Sequence, residues 1–359
     1  MSKIFTRNKT GSRQFNYESL MPIILIGIVS VIILIFLVRA YLFVSVPNVV
    51  LHGKPSVYFY IPTGSTFNSV NRDLIRSGYL RDQRSFEWTA IRMHYQEKIR
   101  PGRYRLSEGM NNRQLVSMLR IGQQVPVRMI LTGARSKEEL AGKISRQLEP
   151  DSLKLIRLLN DPSFLARFGL TPATVFSLFI PDTYEIYWNT SPADFFLRMY
   201  REYKRFWYGA REKKSDSLGF SIPEIVTLAS IVEKETNTIS EKPIIAGVYI
   251  NRLKKHIPLQ ADPTVIFAWK DYSIRRVLRS HLELESPYNT YKYQGLPPGP
   301  ICIPSVSSID AVLNYGNHDY LYFCAKEDFS GSHVFAVTLA EHNRNALRYQ
   351  EALNKKNIR

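Results

Sequence analysis

The alternation of apolar and polar positions divides the chain sharply. From Leu20 to Val46 the only charged residue is Arg39, and Ile23 to Val38 is almost wholly Ile, Leu, Val and Phe. A run of that length, apolar on every face, predicts a bilayer-spanning helix rather than a buried core helix. Arg39 falls near its outer end, where its stem reaches the headgroups. Beyond this segment, Val57 to Ile61 predicts a short strand, and Phe67, Val70, Leu74 and Ile75, spaced by threes and fours, mark one face of a helix. A second helical stretch is expected around Phe86 to Tyr95, then a turn into a strand over Pro101 to Leu106, then a helix from Asn112 to Leu119 closed by Gly122. After Val127 to Leu131 and a Thr132-Gly133 turn, a mostly helical stretch runs to about Tyr208. Asp161-Pro162, Thr171-Pro172, Pro181-Asp182 and Ser191-Pro192 punctuate it as helix boundaries. The charged, apolar-free stretch Arg211 to Asp216 reads as a break and a subdomain junction.

A further helix starts at Ser221-Ile222-Pro223-Glu224, which has the form of a capping box with Pro in the first turn. Its apolar face holds Ile225, Val226, Leu228, Ala229, Ile231 and Val232. Lys234 falls opposite that face, and Glu233 and Glu235 lie on its two flanks. A Glu against an apolar wall has its charged form disfavoured, as a general acid at neutral pH requires. Both carboxylates are candidates, and helix geometry barely separates them; a lone Glu-Lys-Glu is otherwise an ordinary solvated helix end.

Composition narrows the setting. The chain has 359 residues with 45% hydrophobic and 12% aromatic content, and no repeat or low-complexity tract. Without the apolar segment roughly 310 residues remain, enough for about two domains. A formal charge of +17, from 48 basic and 31 acidic residues, calls for an anionic neighbour such as nucleic acid, headgroups or acidic wall polymer. No recognition helix, zinc finger or aromatic-basic strand accompanies it, so nucleic acid is not an expected partner. Lys3, Arg7, Lys9 and Arg13 precede the apolar run against the single acid Glu18, which places the N-terminus in the cytoplasm and everything after about Pro47 outside. A cleaved signal peptide is the rival, but Val38-Arg39-Ala40-Tyr41 lacks a small-x-small site. The two cysteines, Cys302 and Cys324, form no CxxC or Cys/His cluster, and the seven histidines, among them His318, His333 and His342, form no HExxH set. No metal or other cofactor is expected.

Polar groups gather after the Glu-Lys-Glu helix. Leu259-Gln260-Ala261-Asp262-Pro263-Thr264 puts amide, carboxylate and hydroxyl in one turn, and Pro287-Tyr288-Asn289-Thr290-Tyr291 combines aromatic and amide groups ahead of Gly295-Leu296-Pro297-Pro298-Gly299. Aromatic faces suit pyranose rings, and amides suit hydroxyl and N-acetyl groups, so the set suits a sugar cleft. Asp262, before Pro263, reads first as a turn former, with a second catalytic acid as the alternative.

These strings, with Leu228-Ala229-Ser230-Ile231-Val232-Glu233-Lys234-Glu235-Thr236 and Phe179-Ile180-Pro181-Asp182-Thr183-Tyr184, resemble the YceG-like (MltG) family of endolytic murein transglycosylases in order and spacing. Ala261 stands where the family has Thr, and Ile180 where many members have Phe or Trp. The resemblance implies an α+β organisation. It comprises a basic cytoplasmic tail (1–19), a transmembrane helix (20–46), a small LysM-like α/β module (47–128), a helical connecting subdomain (129–215) and a mostly helical, lysozyme-like catalytic region with short strands (216–359).

It also implies a chemistry. In lysozyme-like transglycosylases the catalytic Glu is followed by Ser or Thr, which selects Glu235-Thr236 over the alternative acid Glu233. Thr236 would orient the carboxyl, while Gln260, Asp262, Tyr288, Asn289, Thr290, Tyr291 and Asp182 would contact substrate. The implied reaction is cleavage of peptidoglycan strands next to N-acetylmuramic acid, leaving 1,6-anhydromuramoyl ends and limiting the growth of nascent strands. The implied setting is the inner membrane, with peptidoglycan synthases (penicillin-binding proteins) as partners. Two other readings are a hydrolase using Glu235 and Asp262 and a non-catalytic wall-binding scaffold.

Overall fold

The structure, a computed structural model, describes residues 17–356. The basic residues on which the expected orientation rests, Lys3 to Arg13, lie outside the described residues. The described residues form two compact units, divided between Val125 and Pro126.

The first unit opens with α1 (Tyr17–Ser45). Its segment Met21–Ser45 is long and apolar enough to cross a membrane and buries none of that surface within the protein. Strand β1 (Ser56–Ile61) is followed by α2 (Phe67–Arg76), α3 (Gln83–Arg92) and β2 (Gly102–Ser107). The two strands pair antiparallel from Ser56 opposite Ser107 to Ile61 opposite Gly102. Helix α4 (Asn112–Ile121) closes the unit and ends at Gly122, whose φ of 82° is the left-handed conformation that a helix C-terminus favours in glycine. Val49, Phe59, Leu74, Phe86, Tyr104 and Leu115 are core residues here. In α2, Val70 and Leu74 are buried, but Ile75 is 38% exposed. The stretch expected to be helical through Tyr95 stops at Arg92, because His94 takes a left-handed conformation (φ 54°) that turns the Tyr95 ring into the core.

In the second unit, β3 (Val127–Leu131) precedes α5 (Lys137–Ser145), α6 (Ser152–Leu159) and α7 (Pro162–Ala166). Strand β4 (Asp182–Ile186) then pairs antiparallel with β3, and α8 (Pro192–Trp207) covers a core that includes Phe164, Phe179, Phe195 and Phe196. Arg211 to Asp216, read as a break, lies instead inside helix α9 (Ala210–Leu218). Arg, Glu and Lys are good helix formers, and Arg211 is anchored by two bonds to Asp310.

A second core surrounds α10 (Ile222–Glu235). Ser221 starts this helix as expected, its backbone N–H and hydroxyl both donating to the Glu224 carboxylate. Helices α11 (Lys242–Lys254), α12 (Asp262–Trp269), α13 (Arg279–Leu282) and α14 (Val306–Leu313) follow. Gly247 lets α11 approach the 316–318 segment: a Cβ there would lie 2.5 Å from the Gly316 carbonyl oxygen. The hairpin of β5 (Tyr322–Ala325) and β6 (His333–Ala336) and the helix α15 (Leu339–Lys355) end the described chain. Cys302 and Cys324 are both free.

Candidate active site

The two flanking carboxylates of α10 have opposite surroundings. Glu233 accepts from Lys242 Nζ at 2.9 Å and from the hydroxyls of Ser305 and Ser308, each at 2.5 Å. Burial pushes its carboxyl up, but these bonds and the ammonium outweigh burial and hold it below the ordinary value. Glu233 is therefore an ionised strut joining α10, the start of α11 and the start of α14.

Glu235, the last residue of α10, has one hydrogen-bond donor among the described residues, the Tyr249 hydroxyl, at 2.6 Å from Oε1. Burial is the largest influence on its carboxyl. The Tyr249 bond opposes it, the negative charge of Asp262 adds to it, and the outcome is a carboxyl pushed up to about 7. A group with that value is protonated and ionised in comparable amounts at neutral pH, as an acid that must later act as a base requires.

Glu235 lines a cavity of about 280 Å³ with Tyr249, Arg252, Gln260, Asp262, Tyr291 and Tyr322. Tyr249 and Arg252 are presented by α11 one turn apart. Arg252 is 6% exposed, and its guanidinium donates to the carbonyls of Pro258 and Leu321 and to Gln260 Oε1 at 2.5 Å. Gln260 holds a left-handed backbone (φ 53°) and donates its N–H to the Thr290 carbonyl. Asp262, at the first position of α12, accepts from the Tyr291 hydroxyl at 2.5 Å. Three of the substrate residues expected from the sequence, Gln260, Asp262 and Tyr291, thus share one cavity with Glu235.

The others lie elsewhere. Asn289 is fully buried and donates to the carbonyls of Leu282 and Leu284, bracing its own loop. Thr290 is buried too, and its hydroxyl accepts from Ala261 N–H and bonds Thr264, fixing the turn that carries Gln260 and Asp262. Thr236 does not bond the Glu235 carboxyl. Its hydroxyl donates to Glu241, which also bonds His333, so the chain just after Glu235 is tied to β6. Tyr288 packs on Phe267, ring centroids 4.8 Å apart, in a separate cavity of about 560 Å³ with Lys270, Tyr272 and Pro300. Asp182 is exposed at the start of β4, opposite Leu131, and accepts from Thr183 N–H.

The larger cavity has one carboxylate among its described lining residues, Glu138, whereas the smaller one has two, Glu235 and Asp262. Among the described residues no three His, Cys, Asp or Glu side chains gather as metal ligands. The sequence did not single out Tyr249 or Arg252 as site residues. Their signal was a ring hydroxyl at the end of the apolar run Ile244 to Ile250 and a cation one turn further on.

Comparison with known proteins adds an independent line. The model of the YceG-like family matches residues 59–348. The endolytic murein transglycosylase of Bacillus subtilis (strain 168) is 30% identical over 322 residues, which cover 85% of this chain and 88% of that protein. Its namesake in Streptococcus pneumoniae (strain ATCC BAA-255 / R6) is 26% identical over 83% of this chain, which spans 59% of that longer protein. The crystal structure of a yceG-like protein from Listeria monocytogenes superposes with a TM-score of 0.56 at 27% identity, covering 81% of this chain and 99% of the other.

Proposed function

The chain belongs to the YceG-like family, and from that premise we propose that it cleaves peptidoglycan glycan strands as an endolytic transglycosylase with Glu235 as its acid and base. One observation carries the reading. Glu235 is the carboxyl raised to about 7, and it faces a polar cavity, whereas Glu233 is held ionised by Lys242, Ser305 and Ser308.

The proposed reaction uses one carboxyl twice. Glu235 delivers its proton to the glycosidic oxygen after N-acetylmuramic acid, and the bond from that oxygen to C1 breaks. The resulting carboxylate takes the proton of the same sugar's C6 hydroxyl as O6 bonds C1, closing a 1,6-anhydro ring. Water is neither consumed nor needed. Intramolecular attack has a high effective concentration, which offsets the lack of a second catalytic carboxylate. Tyr249 holds Oε1, leaving Oε2 to exchange the proton. Gln260, Asp262 and Tyr291 contact the sugar at the cleavage point. Thr236, Asn289 and Thr290 position the segments carrying those groups, and Tyr288 offers a ring face to a neighbouring sugar.

In this reading α1 is the single-pass anchor in the plasma membrane, with the basic tail in the cytoplasm and both units outside. The order β1, α2, α3, β2 supports the LysM-like reading of the first unit. Strand cleavage next to the membrane would limit nascent strand length and bring the enzyme beside peptidoglycan synthases.

A hydrolase is the second reading, favoured by one observation: Asp262 lines the same cavity as Glu235. Digestion of purified peptidoglycan followed by analysis of fragment ends separates the two. Anhydro ends are expected, and reducing ends in their place would make the enzyme a hydrolase.

A further inference from the structure

The end of the apolar helix is not a loose tether. The Phe43 carbonyl, one of the last four of α1 and so without a partner in its own helix, accepts from Asn112 Nδ2 at 2.7 Å. Asn112 is 1% exposed and also bonds Asn48 and Ser85, so the helix end is tied into a buried polar network of the first unit. The Phe43 ring meets Trp88 of α3 edge to face, centroids 5.9 Å apart.

The height of this junction follows from length. Met21–Ser45 is 25 residues, about 37 Å of helix at the usual rise. The hydrocarbon layer is about 30 Å thick, so the last turn and the face of α3 against it stand at headgroup level. A spacing of four places Arg84, Trp88 and Arg92 in one row along α3, with Ile91 beside them. Ile91 is 52% exposed, and the Arg92 guanidinium lies 5.4 Å from the Trp88 ring centroid. Arg39, Arg81, Arg84 and Arg92 form no ion pair among the described residues. The acids nearby are engaged: Asp82 caps α3 by accepting from Arg84 N–H, and Glu87 accepts from Asn71 and Gln83. A small cavity lined by Leu42, Phe43, Val46 and Arg81 sits in the same junction.

Indole rings are what a bilayer interface selects on either side, and an anionic leaflet attracts unpaired cations within a Debye length. We propose that this face of α3, with Arg84, Trp88, Ile91 and Arg92, is a docking surface for anionic phospholipid headgroups that holds the first unit in a fixed pose on the membrane. The proposal rests on the reading of α1 as a membrane anchor.

The test uses the full chain in vesicles of phosphatidylcholine, with or without phosphatidylglycerol, doped with a lipid carrying a headgroup nitroxide. The chain has four tryptophans, so the Trp88 component is the difference between wild type and W88F. That component is expected to be quenched several-fold more than the remainder, and more strongly with phosphatidylglycerol. R84E/R92E should remove the increment due to the anionic lipid. I91W provides a second probe at an exposed position and should add a strongly quenched component. A chain that floats with the vesicles while W88F and wild type quench alike, and I91W adds nothing quenched, overturns the docking surface alone. So does quenching indifferent to phosphatidylglycerol. A chain that does not float overturns the anchor and the docking surface together.

Discussion

The Tyr249 hydroxyl donates to Oε1 of Glu235 across 2.6 Å, and it is the only hydrogen bond to that carboxyl among the described residues. Tyr249 is 2% exposed, and burial, the first influence on its phenol, together with the neighbouring Glu235 pushes it well above the ordinary value. It therefore remains a donor throughout the working pH range. The bond stabilises the ionised form of Glu235, the form that takes the C6 hydroxyl proton in the proposed reaction.

Tyr249→Phe is accordingly expected to slow turnover more than it weakens binding. A hydrogen bond to a charged group contributes about 1.5–3 kcal/mol, so kcat should fall by about 10- to 100-fold. The alkaline limb of the rate profile should move upward, because the influence that lowers the Glu235 carboxyl is removed. A profile unmoved in pH, with the loss confined to KM, would mean that Tyr249 is only a packing residue.

Glu233→Gln should act on stability instead. It leaves the Lys242 ammonium, 6% exposed, without its carboxylate, and breaking such a pair costs about 3 kcal/mol. The folded-state value of Glu233 lies below its ordinary 4.5, so its contribution is present above that pH and is lost as pH falls through the lower folded value. The Tm gap between wild type and variant should be steady from neutral pH down to about 5 and close in more acid solution. Below its Tm the variant should retain most activity. Loss of cleavage in a well-folded Glu233→Gln protein would identify Glu233 as the acid.

Asp262→Asn separates the two chemistries. Asn can still accept from Tyr291, so the turn should survive. Removing the charge lowers the Glu235 carboxyl and should shift the alkaline limb down, with fragments still ending in anhydro sugars. Complete loss of cleavage in a folded variant would favour the hydrolase, in which Asp262 must activate water or attack C1.

What the chain order reveals, and what it hides, differs by type of residue. The start of α10 was legible because Ser221, Pro223 and Glu224 act within one turn of each other. The choice between Glu233 and Glu235 was not, because what separates them arrives from afar: Ser305 and Ser308 bond one, and Tyr249 bonds the other. Tyr249 falls at the end of the apolar run Ile244 to Ile250 and Arg252 in the polar end of α11, and only the fold turns both toward the cavity. Asn289 and Thr290 have side chains suited to sugars, but buried backbone groups need partners, and the structure spends both there. The Arg211–Asp216 stretch lacks apolar residues yet remains helical, since propensity and the contact to Asp310 suffice.

Glu235→Gln is the decisive variant, because it should change activity and stability in opposite directions. Gln keeps the shape of Glu and can still accept from Tyr249, but it neither delivers nor takes a proton, so cleavage should disappear while glycan binding persists. The stability effect follows from linkage. The folded value of about 7 exceeds the ordinary 4.5, so the protonated carboxyl supports the fold fully below 4.5, and that support is lost as pH rises through 7. Gln does not titrate. The variant should therefore match wild type near pH 4 and exceed it by about 3 kcal/mol near pH 8, at about 1.4 kcal/mol for each pH unit between the two values. Thermal unfolding of both proteins across that range measures the gap. A gap that stays flat with pH would show that Glu235 is not held protonated by its surroundings. A folded Glu235→Gln protein that still releases anhydro-ended fragments would remove it from the chemistry altogether.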